Sequence, residues 1–236
     1  MIDIEALVFR WPGALHDCLD IAELHLAEGE TLFLHGPSGS GKSTLLGLLA
    51  GVLLPTRGTI KLGGTSWAML SGARRDEFRA DHVGYIFQQF NLLPYLSVID
   101  NVMLPCQFSA ARRQRAMATA RDLHGSAAEL LTKVGMNESL WSRPASMLSV
   151  GQQQRVAAAR ALIGSPQVII ADEPTSALDN ALRDTFLDLL LEASREARTT
   201  LVFVSHDERL SGRFDTRLAL GEINRVSEES VAEDRV

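Results

Sequence analysis

The run Gly36-Pro37-Ser38-Gly39-Ser40-Gly41-Lys42-Ser43-Thr44 constrains this chain more than any other stretch, because it has the spacing of a phosphate cradle. It fits G-x-x-x-x-G-K-[ST]. In that pattern the glycines let the backbone curl until successive N–H groups face a nucleotide's phosphates. A lysine, here Lys42, brings a point charge to the β- and γ-phosphates, and a hydroxyl, here Ser43, ligates Mg²⁺. The flanks agree. Residues 31–35 read as a buried strand and residues 44–50 as a helix, so the loop falls at a helix N-terminus, where anions are favoured. The expected ligand is a nucleoside triphosphate.

At 236 residues the chain has room for one large α/β domain, or a core with a smaller subdomain. A net charge of −6 argues against a general nucleic-acid clamp, whose affinity rests on a basic surface. Arg112, Arg113, Arg115 and Arg121 make a local basic cluster, which reads as a solvated helix face. No run approaches the ~18 apolar residues of a membrane span, and the acidic N-terminus lacks a signal-peptide pattern. Cys18 and Cys106 have no metal-ligand spacing and read as reduced thiols of a cytoplasmic protein.

Strands are expected at residues 4–9, 19–26, 31–34, 59–62 and 83–87, with a helix at 74–79. From about residue 97 to 161 the β-branched runs disappear and Ala, Leu, Arg and Gln dominate. This is a helical block broken near Gly135 and at Arg143-Pro144. Strands return at 168–171 and 199–204, and between them Leu182, Phe186, Leu189, Leu190 and Ala193 fall on one helical face. Strands alternating with helices imply a parallel sheet, interrupted by an all-helical insertion.

Three further segments carry chemistry. The apolar run 168–171 ends in Asp172-Glu173, which suits a carboxylate beside Mg²⁺ and a second one acting as general base on water. His206 follows the run 203–205 and can reach a γ-phosphate or the attacking water. Ser149 can cap a helix from Gln152 to Ala161, so its hydroxyl, the free N–H groups and the positive dipole end converge on one point. That makes a second phosphate-binding site.

Here the set of motifs becomes specific. Leu148-Ser149-Val150-Gly151-Gln152 resembles the signature sequence of ATP-binding cassette (ABC) transporter ATPases, and the other family motifs stand in the family's order. Gln88 resembles the Q-loop glutamine, Asp172-Glu173 the Walker B end, Ser176-Ala177-Leu178-Asp179 the D-loop and His206 the switch histidine. Trp11 sits where the family places an aromatic against adenine. The match covers roughly residues 1–225.

The resemblance implies an α/β fold. Its P-loop NTPase core would have a mixed sheet, an N-terminal antiparallel β-subdomain and an inserted all-helical signature subdomain. The chain would be a single domain over 1–236, with a RecA-like core at about 1–94 and 165–225 and a helical subdomain at about 95–164. It also implies roles. ATP would be held by Trp11 and the cradle Gly36, Pro37, Ser38, Gly39, Ser40, Gly41, Lys42, Ser43 and Thr44. Ser43, Gln88 and Asp172 would hold Mg²⁺, with Glu173, His206 and Gln88 as the catalytic set. Ser149, Gly151, Gln152 and Asp179 would face the nucleotide of a second copy of the chain in an ATP-sandwich homodimer.

One residue departs from the family. Glycine is usual where this chain has Val150. If that backbone must take a positive φ, a β-branched residue weakens closure; if it takes helical angles, Val150 is tolerated.

Residues 88–98, Asn101-Val102, Leu104-Pro105 and Phe78-Arg79 resemble the macrolide-export and lipoprotein-releasing ATPase group, with amino-acid importers and the cell-division ATPase as near neighbours. Members of that group drive an integral-membrane permease with a large extracytoplasmic domain from the cytoplasmic face of the inner membrane. The surface of residues 90–96 would then receive a permease helix. A soluble ABC protein of translation or repair is disfavoured by the single cassette and acidic balance, and a regulatory GTPase by the lack of an Asn-Lys-x-Asp element.

Overall fold

The structure is a computed structural model and describes residues 1–118, 120–176, 178 and 180–226. It opens with β1 (Ile2–Phe9), β2 (Leu19–Leu26) and β3 (Thr31–His35), then α1 (Lys42–Leu49). Strands β4 (Arg57–Leu62) and β5 (Thr65–Ser66) precede α2 (Gly72–His82) and β6 (Val83–Ile86). The helical block follows as α3 (Val98–Met103), α4 (Pro105–Phe108), α5 (Ala110–Ala118), α6 (Leu123–Lys133) and α7 (Val150–Leu162). Next come β7 (Val168–Asp172), α8 (Asn180–Glu196) and β8 (Thr200–Val204). Last are β9 (Thr216–Ala219) and α9 (Leu220–Ile223). The chain forms two compact units, Met1–Arg79 with the described residues from Val202 onward, and Ala80–Leu201.

In the first unit β1 is the centre of an antiparallel sheet ordered β2-β1-β4-β5. Ile2 and Ile4 point inward, then the inward set shifts to Leu7 and Phe9. A bulge causes the shift: Ala6 takes φ 49°, and the register with β4 slips between Glu5 and Val8. Gly58 makes room for it, since a Cβ there would lie 2.1 Å from the Ala6 carbonyl oxygen. Strand β3, buried through Leu34, pairs parallel with β9 and carries the cradle at its end. Thr31 and Asp215 clasp these strands together. Thr31 N and Oγ1 donate to Asp215 Oδ2 at 2.9 and 2.7 Å, and Asp215 N donates to Thr31 Oγ1 at 3.0 Å.

In the second unit β6 and β7 pair parallel, Val83 opposite Val168. Helix α7 comes unusually close to β6, because a Cβ on Gly84 would lie 2.5 Å from the Ala161 carbonyl oxygen. Its Ala157, Ala158, Ala159 and Ala161 are all buried, so small side chains permit the approach on the helix side too. Buried Asn101 on α3 fixes the irregular segment before it: Leu93 N donates to its Oδ1, and its Nδ2 donates to the carbonyls of Leu93, Leu96 and Ser97.

Several expectations need correction. The basic cluster is not one solvated face. Arg112 is buried, and its guanidinium donates to the carbonyls of Ala161 and Ile163 at the end of α7 and to that of Val83. Arg115 donates to the carbonyls of Gly164 and Asp81, and only Arg113 and Arg121 are exposed. The last carbonyls of a helix lack intrahelical donors and carry negative partial charge, so a cation there satisfies both needs. Desolvation pulls the Arg112 guanidinium down to about 10, which leaves it cationic at neutral pH. The buried stripe of α8 is Phe186, Leu187, Leu190, Leu191 and Ser194, whereas Leu182 is exposed. Phe90 is buried too, so the exposed apolar side chains of 90–96 centre on Tyr95.

Candidate active site

Trp11, the cradle and His206 belong to the first unit. The cradle's last glycine, Gly41, is the N-cap of α1 at φ 100°, where a Cβ would also lie 2.9 Å from Leu19 Cδ2. Conformation and packing both exclude a side chain there. No side chain caps α1, so its first N–H groups are left to an anion. Lys42 is buried, with Nζ donating to the carbonyls of Gly36 and Pro37, each at 2.8 Å. The ammonium is thus held inside the loop's curl, and Ser38 and Ser43 are exposed at its surface. Behind the cradle, Cys18 Sγ lies 3.7 Å from Thr44 Oγ1. Trp11 lies in the β1–β2 connection, 46% exposed, its ring edge-on to Phe9 with centroids 5.1 Å apart.

His206 is exposed just beyond β8 and lines an open cleft of ≈ 410 Å³ with His35, Gly36, Pro37 and Glu208. A network absent from the sequence reading sits here. Arg217 Nε donates to His35 Nε2 at 3.3 Å, and Arg217 Nη2 to Glu208 Oε2 at 2.7 Å. With Nε2 accepting, the His35 proton is on Nδ1, 3.4 Å from Glu208 Oε1. The residue before the cradle is thereby tied to the turn after His206. Its one sequence signal was a histidine directly ahead of Gly36.

Gln88, Ser149, Gly151, Gln152, Asp172 and Glu173 belong to the second unit. Asp172 ends β7, and Glu173 takes the left-handed φ of 46°, a strained conformation for a non-glycine residue and one that clusters at functional sites. Burial, then the Asp172 charge, pushes the Tyr85 phenol well above its ordinary value, so it stays protonated. Tyr85 stacks on Phe87 at 4.2 Å, and Gln88 follows, exposed. Phe90 and Asn91 then take φ of 58° and 47°.

The signature forms the cap of α7. Ser149 Oγ accepts from Gln152 N at 3.4 Å, and Gln152 Oε1 accepts from Ser149 N at 3.0 Å, a reciprocal capping box. Gln153 donates to the Leu148 carbonyl and Gln154 to that of Pro174. Val150 is the first residue of the helix and is not among the positive-φ residues, which decides the alternative left open by the sequence: a β-branched residue is tolerated there. Among the described residues a Cβ on Gly151 would meet nothing closer than 3.9 Å, so their packing does not require this glycine. Both line an open cleft of ≈ 490 Å³ with Ser149, Gln152 and Arg155. Asp179 lies outside the described residues.

Among the described residues no helix is long and apolar enough to cross a membrane. The family model described as ABC transporter matches residues 19–176. The lipoprotein-releasing system ATP-binding protein LolD of Legionella pneumophila (strain Paris) is 39% identical over 200 residues, 85% of each chain. The uncharacterized ABC transporter ATP-binding protein YbbA of Escherichia coli (strain K12) is 43% identical over 198 residues, 84% of this chain and 83% of that one. Among solved structures, the ATP-binding cassette MJ0796, a dimer in a post-hydrolysis state with ADP and Pi, has a TM-score of 0.79. It is 31% identical, over 93% of this chain and 94% of that one. Cradle, capped signature helix and acidic strand end together with these likenesses identify the chain as a member of the ABC transporter family and one of its ATP-binding ATPases.

Proposed function

We propose that two copies of this chain sandwich two ATPs, each held by one chain's cradle and the other chain's signature helix, and that closure drives a membrane permease. The carrying observation is the N-terminus of α7, capped by Ser149, opening on a cleft beside a glycine that packing among the described residues does not demand. A phosphate approaching from a second chain gives Gly151 its reason, since only there does a side chain obstruct.

In this reading Lys42 and the α1 N–H groups neutralise the β- and γ-phosphates, Trp11 stacks on adenine, and Glu173 takes the proton of the attacking water. His206 and Gln88 orient that water and the γ-phosphate. Asp179 meets the partner copy. Among the described residues no cluster of three or more His, Cys, Asp or Glu offers an all-protein metal cage. Single oxygen donors from Ser43, Gln88 and Asp172 suit Mg²⁺, which near nucleotides takes few protein ligands and fills its shell with phosphate and water. Held there, the ion would supply charge neutralisation to the phosphates.

The partner is of the lipoprotein-releasing or macrolide-export type, an integral-membrane permease with a large extracytoplasmic domain; one similar protein is named for a lipoprotein-releasing system. The chain would sit on the cytoplasmic face of the inner membrane through that permease, with the helical subdomain of about 95–164 presenting the docking surface at Tyr95.

Mixed dimers test the sharing of sites. Chains carrying Lys42→Ala and chains carrying Ser149→Arg are each expected to be inactive alone. Mixed, they form one intact composite site and should recover part of the wild-type ATPase rate. A mixture no more active than the pure variants sinks the proposal of independently working shared sites.

A further inference from the structure

Helix α7 does more than present Ser149. Gln154, fully buried, donates from Nε2 to the Pro174 carbonyl at 2.5 Å, on the residue directly after Glu173. Arg160, in the last turn, donates from Nη1 to the Asn91 carbonyl at 2.7 Å and from Nη2 to the Phe90 carbonyl at 2.5 Å. These are the two left-handed residues that follow Gln88-Gln89.

Neither side chain is what stability alone would select. Among the described residues Gln154 Oε1 is buried without a hydrogen-bond partner, a cost that an apolar residue of similar size would not carry. Arg160 is a buried cation held by carbonyl dipoles, with no carboxylate among the described residues within ion-pair distance. Burial pulls its guanidinium down to about 10. Burying an unpaired charge costs stability, and here it holds two strained backbone positions rigid.

We propose that Gln154 and Arg160 are positioning residues for ATP hydrolysis. From one helix they fix the backbone beside Glu173 and the backbone behind Gln88, so that the element capped by Ser149 also sets the geometry of both catalytic side chains. The proposal rests on the roles given above to Glu173 and Gln88. It adds that a ligand at the Ser149 end of α7 and the hydrolytic groups of the same chain move as one body.

The test uses the full chain with Mg-ATP, reading kcat, KM for ATP and the melting temperature. Gln154→Met is expected to lower kcat about tenfold, the usual order for a lost positioning contact, with KM within about twofold. Its melting temperature should change little, because removing the buried Oε1 offsets the loss of the neutral hydrogen bond to the Pro174 carbonyl. Arg160→Lys keeps the charge but loses the planar fork, and should lower kcat by about the same factor. Added to Gln88→Ala, Arg160→Lys should cost little more, since it acts through that segment. Unchanged kcat in both single variants overturns the proposal. So does a parallel loss of kcat, affinity and melting temperature, or a fully multiplicative loss in the double variant. A Glu173→Gln chain that hydrolyses at the wild-type rate would instead remove the catalytic reading beneath it, whatever the α7 variants do.

Discussion

Ser149 and Gln152 cap each other's backbone at the start of α7, and Val150, between Ser149 and Gly151, sits at helical angles with its side chain half exposed. The capping box holds the turn without glycine's freedom. Val150→Gly should therefore cost no more than about 0.5 kcal/mol of stability, from helix propensity, and leave turnover within about twofold. A large rise in kcat would show that the position needs a conformation valine denies it.

Trp11 lies edge-on to Phe9, which orients its ring and leaves it half open. Base–aromatic stacking is worth about 1–3 kcal/mol by analogy with nucleic-acid binding. Trp11→Ala should raise the ATP dissociation constant about tenfold, measured by fluorescent-nucleotide titration, while Trp11→Phe recovers most of the affinity. Because stacking tolerates any base, GTP should bind as well. Equal affinity in Trp11→Ala would return the ring to a role in the hairpin alone.

Glu173 and Lys42 should separate chemistry from binding. Glu173→Gln keeps the side chain's shape and removes the proton acceptor, so kcat should fall by about 10²–10⁴-fold with ATP trapped in a stable dimer visible by gel filtration. Lys42→Ala removes the buried ammonium of the cradle and should weaken ATP binding itself. Undiminished affinity in that variant would contradict the cradle's role.

Arg112 predicts a stability effect with no binding effect. Arg112→Met strands the carbonyls at the end of α7 and should cost about 3 kcal/mol, as for a buried hydrogen-bonded charge, read from urea unfolding. The ATP affinity of the folded fraction should not change, since the Arg112 guanidinium bonds to carbonyls of Val83, Arg160, Ala161 and Ile163 and to no cradle residue. Arg113→Ala and Arg121→Ala, on exposed residues, should stay within about 0.5 kcal/mol of wild type.

What the chain's local chemistry sets was legible. The cradle, the acidic end of β7 and the Ser149 cap are contiguous, so spacing reveals them. The strand at Leu19–Leu26 was expected with the bounds it has. What depends on distant partners was not. Arg112 and Arg113 are adjacent in sequence, yet only the carbonyls of residues about 50 positions away distinguish a buried cap from a solvated charge. The register slip at Ala6 needs Gly58, and the His35–Glu208–Arg217 network joins the start of the cradle to residues near the far end of the described chain. Strand β9, four residues long and half-buried, lacked the apolar run that marked its neighbours. On α8 the expected face holds at Phe186 and Leu190, which are buried, and fails at Leu182, because Leu182 and Leu187 are equally apolar and only packing separates them.

The clasp between Thr31 and Asp215 spans 184 residues. A ribosome adding about 5–20 residues per second makes the strand that ends in the cradle some 10–40 s before its closing partner emerges. During that interval the apolar run of β3 has no β9 beside it and no Asp215 for its first amide. The nucleotide loop is thus translated well before the residue that locks the strand leading into it. Newborn chains pass through a stage in which they carry the loop without the scaffold that shapes it.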